Sequence, residues 1–136
     1  MRTFALPVLA FALYACGEVV DCPDGRAMEP MELALYSEVA AALKWSDDYP
    51  PEVSLEEPDP TCPGLYDIRV KGECVGAYYR GSCNMIFLPT VDHPEWAEGR
   101  RELLVKHESL HHILRQSEGG ADGDHSRRWW PALGLL

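Results

Sequence analysis

Residues 95–117 read EWAEGRRELLVKHESLHHILRQS and form the longest helical pattern in the chain. Leu103, Leu104, Leu110, Ile113 and Leu114 supply the apolar faces that hold such a helix in a core. Pro94 fits a first turn, with Asp92 or His93 near the cap. Gly99 weakens that start, and Gly119-Gly120 ends the helix. Inside it stands His107-Glu108-Ser109-Leu110-His111, an HExxH pattern. With five histidines in 136 residues, chance predicts roughly 0.01–0.02 such matches. Residues i and i+4 of a helix lie about 400° apart, so both imidazoles leave one face, one turn apart. Two neutral imidazoles so placed can hold Zn²⁺ at about 2.0–2.1 Å each. Glu108, beside the first ligand, is placed to take a proton from an attacking water and pass it to a leaving amine.

A catalytic zinc needs three protein ligands and an open position. A further Gly and His at 114 and 117 would define one zinc-protease class, but Leu114 and Ser117 stand there. Glu118 is too close on the same helix to fold back. His125 remains, 14 residues after His111, with Gly119, Gly120 and Gly123 between them to reverse the chain. Asp122 and Asp124 are the alternative third ligands, and either could instead orient an imidazole or cap a helix.

His107-Glu108-x-x-His111-His112, a short Gly/Asp loop, then Asp124-His125-Ser126-x-x-Trp129-Trp130 resembles the minigluzincins and the related SprT-like zinc peptidases. The likeness covers roughly residues 84–131. It implies that His107, His111 and His125 hold one Zn²⁺ and that Glu108 is the general base. It also implies that Asn84, Met85, Ile86, Phe87 and Leu88 form a sheet edge on which an extended peptide pairs as an added strand. The loop before His125 is longer than in the smallest members. The DNA-linked role of some SprT-like enzymes does not transfer to a chain this acidic.

Outside the helix, the pattern is α+β. Residues 31–45 place Leu33, Tyr36, Ala40 and Leu43 at helical spacing. Residues 46–64 carry five prolines among acids and read as a loop. Residues 65–70, 74–79 and 84–88 read as three short strands of a small antiparallel sheet. That sheet is expected to pack on the N-terminal helix and on the zinc helix. Residues 125–136 are expected to return as a short helix bent near Pro131, with Trp129 and Trp130 in the core or walling the zinc helix. His112 lies about 100° off the ligand face. Arg127, Arg128, Tyr78, Tyr79 and His93 are the candidates to stabilise an oxyanion. Arg100-Arg101 reads as a solvated helix face.

The N-terminus reads as an export signal. Arg2 precedes an uncharged stretch of 12 residues, Phe4 to Ala15, too short to span a bilayer. Leu13-Tyr14-Ala15-Cys16 resembles a bacterial lipobox, so residues 1–15 are expected to be removed and Cys16 lipidated. Residues 16–30 would then be a tether and residues 31–136 one domain. Lipidation also explains an odd cysteine count. Cys22, Cys62, Cys74 and Cys83 remain, suiting two disulfides in an oxidising compartment. The expected pairs are Cys74–Cys83 and Cys22–Cys62. The four contain no CxxC, which argues against a thiolate zinc site. Loss of Arg2 takes the formal charge from −10 to −11, which disfavours a nucleic-acid partner.

The reading is therefore a lipid-anchored zinc peptidase of a bacterial envelope, acting on peptide or protein substrate, with cell-wall peptide as a variant. Two rivals stand beside it. One is an envelope protein with a noncatalytic metal site. The other is a lipoprotein that binds partners through its sheet edge, with His125 far from the His107/His111 pair.

Overall fold

The computed structural model describes residues 21–90 and 99–136. The order is α1 (Pro30–Ala42), β1 (Glu52–Glu56), β2 (Ile68–Val70), β3 (Glu73–Val75), β4 (Tyr78–Arg80), β5 (Met85–Pro89), α2 (Arg100–Glu118) and α3 (Trp129–Ala132). The class is α+β, as the sequence predicts. The expected signal segment, Cys16, and Asp92, His93 and Pro94 lie outside the described residues.

α1 starts where Pro30 presets the first-turn φ and Glu32 reaches back 2.9 Å to the Glu29 N–H. Glu32 is buried and paired with Arg26 at 2.6 Å, with Arg101 3.8 Å away. Burial pushes the Glu32 pKa up, but the Arg26 guanidinium and the Glu29 N–H outweigh it and hold it below its ordinary value. Arg101 also donates to the Pro89 carbonyl. It is therefore an inter-element brace, where the sequence reading gave a solvated face.

The sheet differs from the expected antiparallel meander. Its order is β1-β5-β4, with β1 parallel and β4 antiparallel to β5. β1 falls inside the segment expected to be a loop, because Glu52–Glu56 fits between Pro51 and Pro58 without placing a proline in the ladder. β2 and β3 form a separate antiparallel pair. All five residues of β5 are buried, as a strand covered on both faces must be. Ile86 and Leu88 join the core with Tyr36 and Val39 of α1, Leu110 and Leu114 of α2, and Trp130. Met85 and Phe87 face the other way, onto Ile68 and Val70 of the hairpin. The sheet thus lies between the helices and the β2–β3 pair.

Asn84–Leu88 is therefore not a sheet edge. Met85–Leu88 belong to the central strand, and Asn84 sits in the turn before it at φ 50°. The free edge beside α2 belongs to β4.

The disulfides also correct the expected pairs. They are Cys22–Cys83 and Cys62–Cys74. Cys74 lies in β3 and Cys83 in the turn after β4, so the two belong to different sheets. Cys62–Cys74 staples the proline-rich loop to the hairpin. Cys22–Cys83 ties the N-terminal arm to the β4–β5 turn, and Arg26 then pairs with Val53 of β1. Two disulfides fit an oxidising, exported environment. No helix among the described residues is long and apolar enough to cross a membrane.

Candidate metal centre

α2 supplies the first two imidazoles. His107 and His111 sit one turn apart with ring centroids separated by 5.0 Å. The helix ends at Gly119 with φ 79°, where a Cβ would be strained, and its N–H caps the Arg115 carbonyl. The following loop reverses through Asp122 (φ 57°) and His125 (φ 53°). Left-handed Asp and His are tolerated better than most residues, and such positions gather where geometry serves a site.

This reversal brings His125 onto the pair. His125 Nε2 lies 3.0 Å from His107 Nε2 and 3.2 Å from His111 Nε2. The three form the group able to hold a metal ion among the described residues. Asp122 and Asp124 are not part of it.

The other ring nitrogens explain why the three converge. His107 Nδ1–H donates to the Leu135 carbonyl at 2.7 Å, and His111 Nδ1–H to the Ala121 carbonyl at 2.5 Å. A carbonyl can only accept, so these bonds fix the Nδ1–H tautomer and leave each Nε2 as a lone pair. His125 Nε2 faces both lone pairs, where it can donate a proton to one of them or join them around a cation. Tetrahedral zinc with bonds of about 2.0–2.1 Å would set its nitrogens about 3.3 Å apart, close to the spacing here. The donor set therefore fits a metal ion. Burial pushes the pKa of His107 down and that of His111 down to about 4, so both hold the neutral form that a ligand needs.

Trp130 forms the floor. It is fully buried, and its ring lies 4.7, 4.5 and 4.5 Å from those of His107, His111 and His125. Its indole N–H donates to Asp122 Oδ2 at 2.7 Å. The same carboxylate accepts from the Ser126 N–H, the Ser126 hydroxyl and the Arg127 N–H. Desolvation raises the Asp122 pKa, but these four donors outweigh it and hold it well below the usual carboxylate range. Asp122 thus braces the His125 loop against Trp130.

Glu108 is buried at 5% exposure beside His107. Burial raises its pKa to about 8, opposed by the Tyr79 N–H that its carboxylate accepts. Ala77, Tyr79, Gly81, Glu108 and the three histidines line one cleft of about 370 Å³. A larger cavity of about 480 Å³ lies in the Pro58–Tyr66 loop, where its carboxylate Asp59 is committed to Arg69 and Thr61.

Of the oxyanion candidates, Tyr78 and Tyr79 line this cleft. His112 is buried, 2.8 Å from Asn84 Oδ1 and 3.1 Å from the Tyr49 carbonyl. The Tyr79 hydroxyl bonds the same Asn84 oxygen, so this network fixes the β4–β5 turn to α2. Arg127 pairs with Glu118, and Arg128 stacks on Trp129. Neither lines the cleft. Sequence reasoning missed the two orienting carbonyls, since a backbone acceptor has no residue signature. The chain matches no protein-family model, no curated protein and no solved structure.

Proposed function

We propose that this chain is a zinc-dependent peptidase of the bacterial envelope, similar in plan to the minigluzincins and SprT-like peptidases. The observation that carries the reading is the convergence of three imidazole Nε2 atoms beside a buried carboxylate, in a cleft bordered by a free strand edge.

Each part has a role in peptide hydrolysis. His107, His111 and His125 would hold the ion, and Trp130 with the Leu135 and Ala121 carbonyls keeps their rings aimed. A bound Zn²⁺ supplies a Lewis acid that polarises a carbonyl and makes water a nucleophile at neutral pH. The β4 edge offers main-chain groups to an extended peptide and sets its scissile bond across the cleft. Glu108 takes a proton from the attacking water and returns it to the leaving amine. Without a cation, burial keeps Glu108 protonated at neutral pH, and a neighbouring dication favours the carboxylate needed for this task.

The envelope placement rests on the N-terminal signal and the disulfides. Five residues lie between Cys16 and Cys22, six Cα steps with a reach of at most about 22 Å. Cys22 is bonded to Cys83, two residues past Gly81 in the cleft wall. A lipid on Cys16 would hold the cleft close to the membrane surface.

The test is metal content and hydrolysis of a mixed peptide library by wild type, Glu108→Gln and His125→Ala. The expected result is one zinc in wild type and Glu108→Gln, much less in His125→Ala, and cleavage by wild type alone. Zinc retained with no cleavage by any form would leave a noncatalytic metal site. Metal retained without His125 would refute the ligand set.

A further inference from the structure

The groove between α2 and the free edge of β4 continues past the metal centre. Gly76 and Gly81 stand on either side of β4, and both lie against α2. A Cβ on Gly76 would lie 3.2 Å from Arg100 Nη2 and 3.7 Å from Leu104 Cδ2. A Cβ on Gly81 would lie 2.7 Å from Arg115 Nε and 3.1 Å from its Cζ. Strand and helix therefore run the same way, from Gly76 and Arg100 at one end to Gly81 and Arg115 at the other.

Arg115 closes the second end. It follows His111 by four residues and Glu108 by seven, so its side chain leaves α2 on the face that carries both. Its guanidinium rests on Gly81, which walls the cleft of the three histidines. One of its N–H groups donates to the Tyr79 hydroxyl. The residue is exposed, and the ion pairs among the described residues do not include it. Glu118, the nearest acid after it in the helix, is paired with Arg127 instead. A last-turn cation suits the helix dipole, but the dipole does not account for the glycine on which this side chain is seated.

The direction of β4 gives Arg115 its side of the bond. An extended peptide added antiparallel to β4, the more stable pairing, has its N-terminal part toward Gly81 and its C-terminal part toward Gly76. Seven residues of helix separate Glu108 from Arg115, a rise of about 10 Å. An extended strand covers that length in about three residues. The guanidinium therefore meets side chains that precede the scissile bond. Its remaining N–H groups match a carboxylate, and a chain with 22 acids against 12 Lys and Arg offers acids few other footholds.

We propose that Arg115, seated on Gly81, recognises a carboxylate side chain two or three residues before the scissile bond. The inference rests on the peptidase reading and narrows its substrate class to extended peptides that carry Asp or Glu upstream of the cut.

The test uses the zinc-loaded, disulfide-intact protein and three acetyl-X-X-alanyl hydroxamates, with X as Glu, Gln or Lys. The hydroxamate takes the place of the scissile amide, and X fills the second and third positions before it. Binding is read by calorimetry, and the cut sites in a mixed peptide library are mapped beside it. The Glu probe is expected to bind roughly 3- to 10-fold tighter than the Gln probe, with Lys weakest. High salt should narrow that preference. Arg115→Gln, at an exposed position, is expected to keep its zinc and bind the Glu and Gln probes equally. Arg115→Glu should favour the Lys probe. Gly81→Ala keeps the charge but crowds the guanidinium off its seat, and should lose most of the preference. Equal affinity for the Glu and Gln probes in wild type would overturn the proposal, as would a preference unchanged in Arg115→Gln. Library cuts with no acids enriched before the bond would overturn it and leave hydrolysis standing. Failure of every probe to bind would overturn it together with the open metal position. Arg115-dependent preference for the Glu probe, with no library peptide cleaved, would support the carboxylate site and overturn the hydrolytic reading alone.

Discussion

Asp122→Asn changes almost no volume, yet it should weaken a metal site of which Asp122 is not a part. In wild type, Asp122 Oδ1 accepts from the Ser126 N–H and hydroxyl, at 3.1 and 2.8 Å. Oδ2 accepts from the Arg127 N–H and the Trp130 indole, at 2.9 and 2.7 Å. An asparagine can keep one pair but must turn an amide N–H₂ toward the other. Donors then face donors, and whichever pair is lost, the loop comes loose. If the Arg127 and Trp130 pair is lost, the indole N–H of a fully buried ring has no acceptor. Losing charge-assisted bonds and leaving one buried donor unpaired costs about 2–4 kcal/mol, with the exposed part of the carboxylate counted at the low end. The same loop carries His125, so zinc affinity should fall roughly 10- to 100-fold. Urea denaturation of the metal-free protein measures the first effect, and zinc titration against a competing chelator the second. Wild-type values for both would refute the bracing role. Complete loss of zinc binding with unchanged metal-free stability would make Asp122 a ligand instead.

Removing Cys62–Cys74 should destabilise the fold by about 3 kcal/mol and removing Cys22–Cys83 by about 4, from loops closed over 12 and 61 residues. Non-reducing peptide mapping with urea titrations of paired Cys→Ser variants checks pairing and order together. Ser109 is fully buried and its hydroxyl has no partner, so Ser109→Ala should raise stability by up to about 1 kcal/mol. A loss of that size in thermal denaturation would show that the hydroxyl is bonded. The Glu32 pKa is depressed in the fold, so its ion pair stabilises above the unfolded pKa near 4 and fades as pH falls through the folded value. Glu32→Gln should therefore cost about 2 kcal/mol at pH 7, discounted for the part-exposed Arg26, with the gap closing below about pH 4.

Local patterns were legible and pairings were not. Helix α2, its stop at Gly119 and the His107/His111 face follow from a 3.6-residue period and from glycine. The C-terminal return was visible as a Trp- and Leu-rich run, and Trp130 and Leu135 are indeed buried. The β1–β5 pair was missed because flanking prolines look the same beside a strand as inside a loop. A signal for the central strand did exist. Met85-Ile86-Phe87-Leu88 has no polar alternation, as a strand covered on both faces should not. An edge strand would alternate, as Tyr78–Arg80 does, with Tyr79 buried between two half-buried neighbours. The cysteine pairs failed for a related reason. They depend on which strands share a sheet, and proximity in sequence drew Cys74 toward Cys83 across a sheet boundary.

The division of labour at the metal centre has a thermodynamic consequence. α2 supplies only two imidazoles. The third imidazole, the Trp130 floor, the Asp122 brace and both orienting carbonyls come from residues 121–135. That segment has little regular structure of its own, a single helix of four residues. Its docking depends on burying Trp130 and Leu135 against α2 and on bringing His125 Nε2 to the lone pairs of His107 and His111. Without a cation one Nε2–H of His125 can satisfy only one of the two facing lone pairs, and with a cation all three nitrogens are engaged. An ion that binds only the docked form stabilises by RT ln(1 + [L]/Kd), about 4 kcal/mol at a thousandfold excess over Kd. Metal binding and closure of the C-terminal segment are then one equilibrium. Zinc should protect the amides of residues 121–135 from hydrogen exchange far more than those of the β2–β3 hairpin, which supplies none of the three imidazoles.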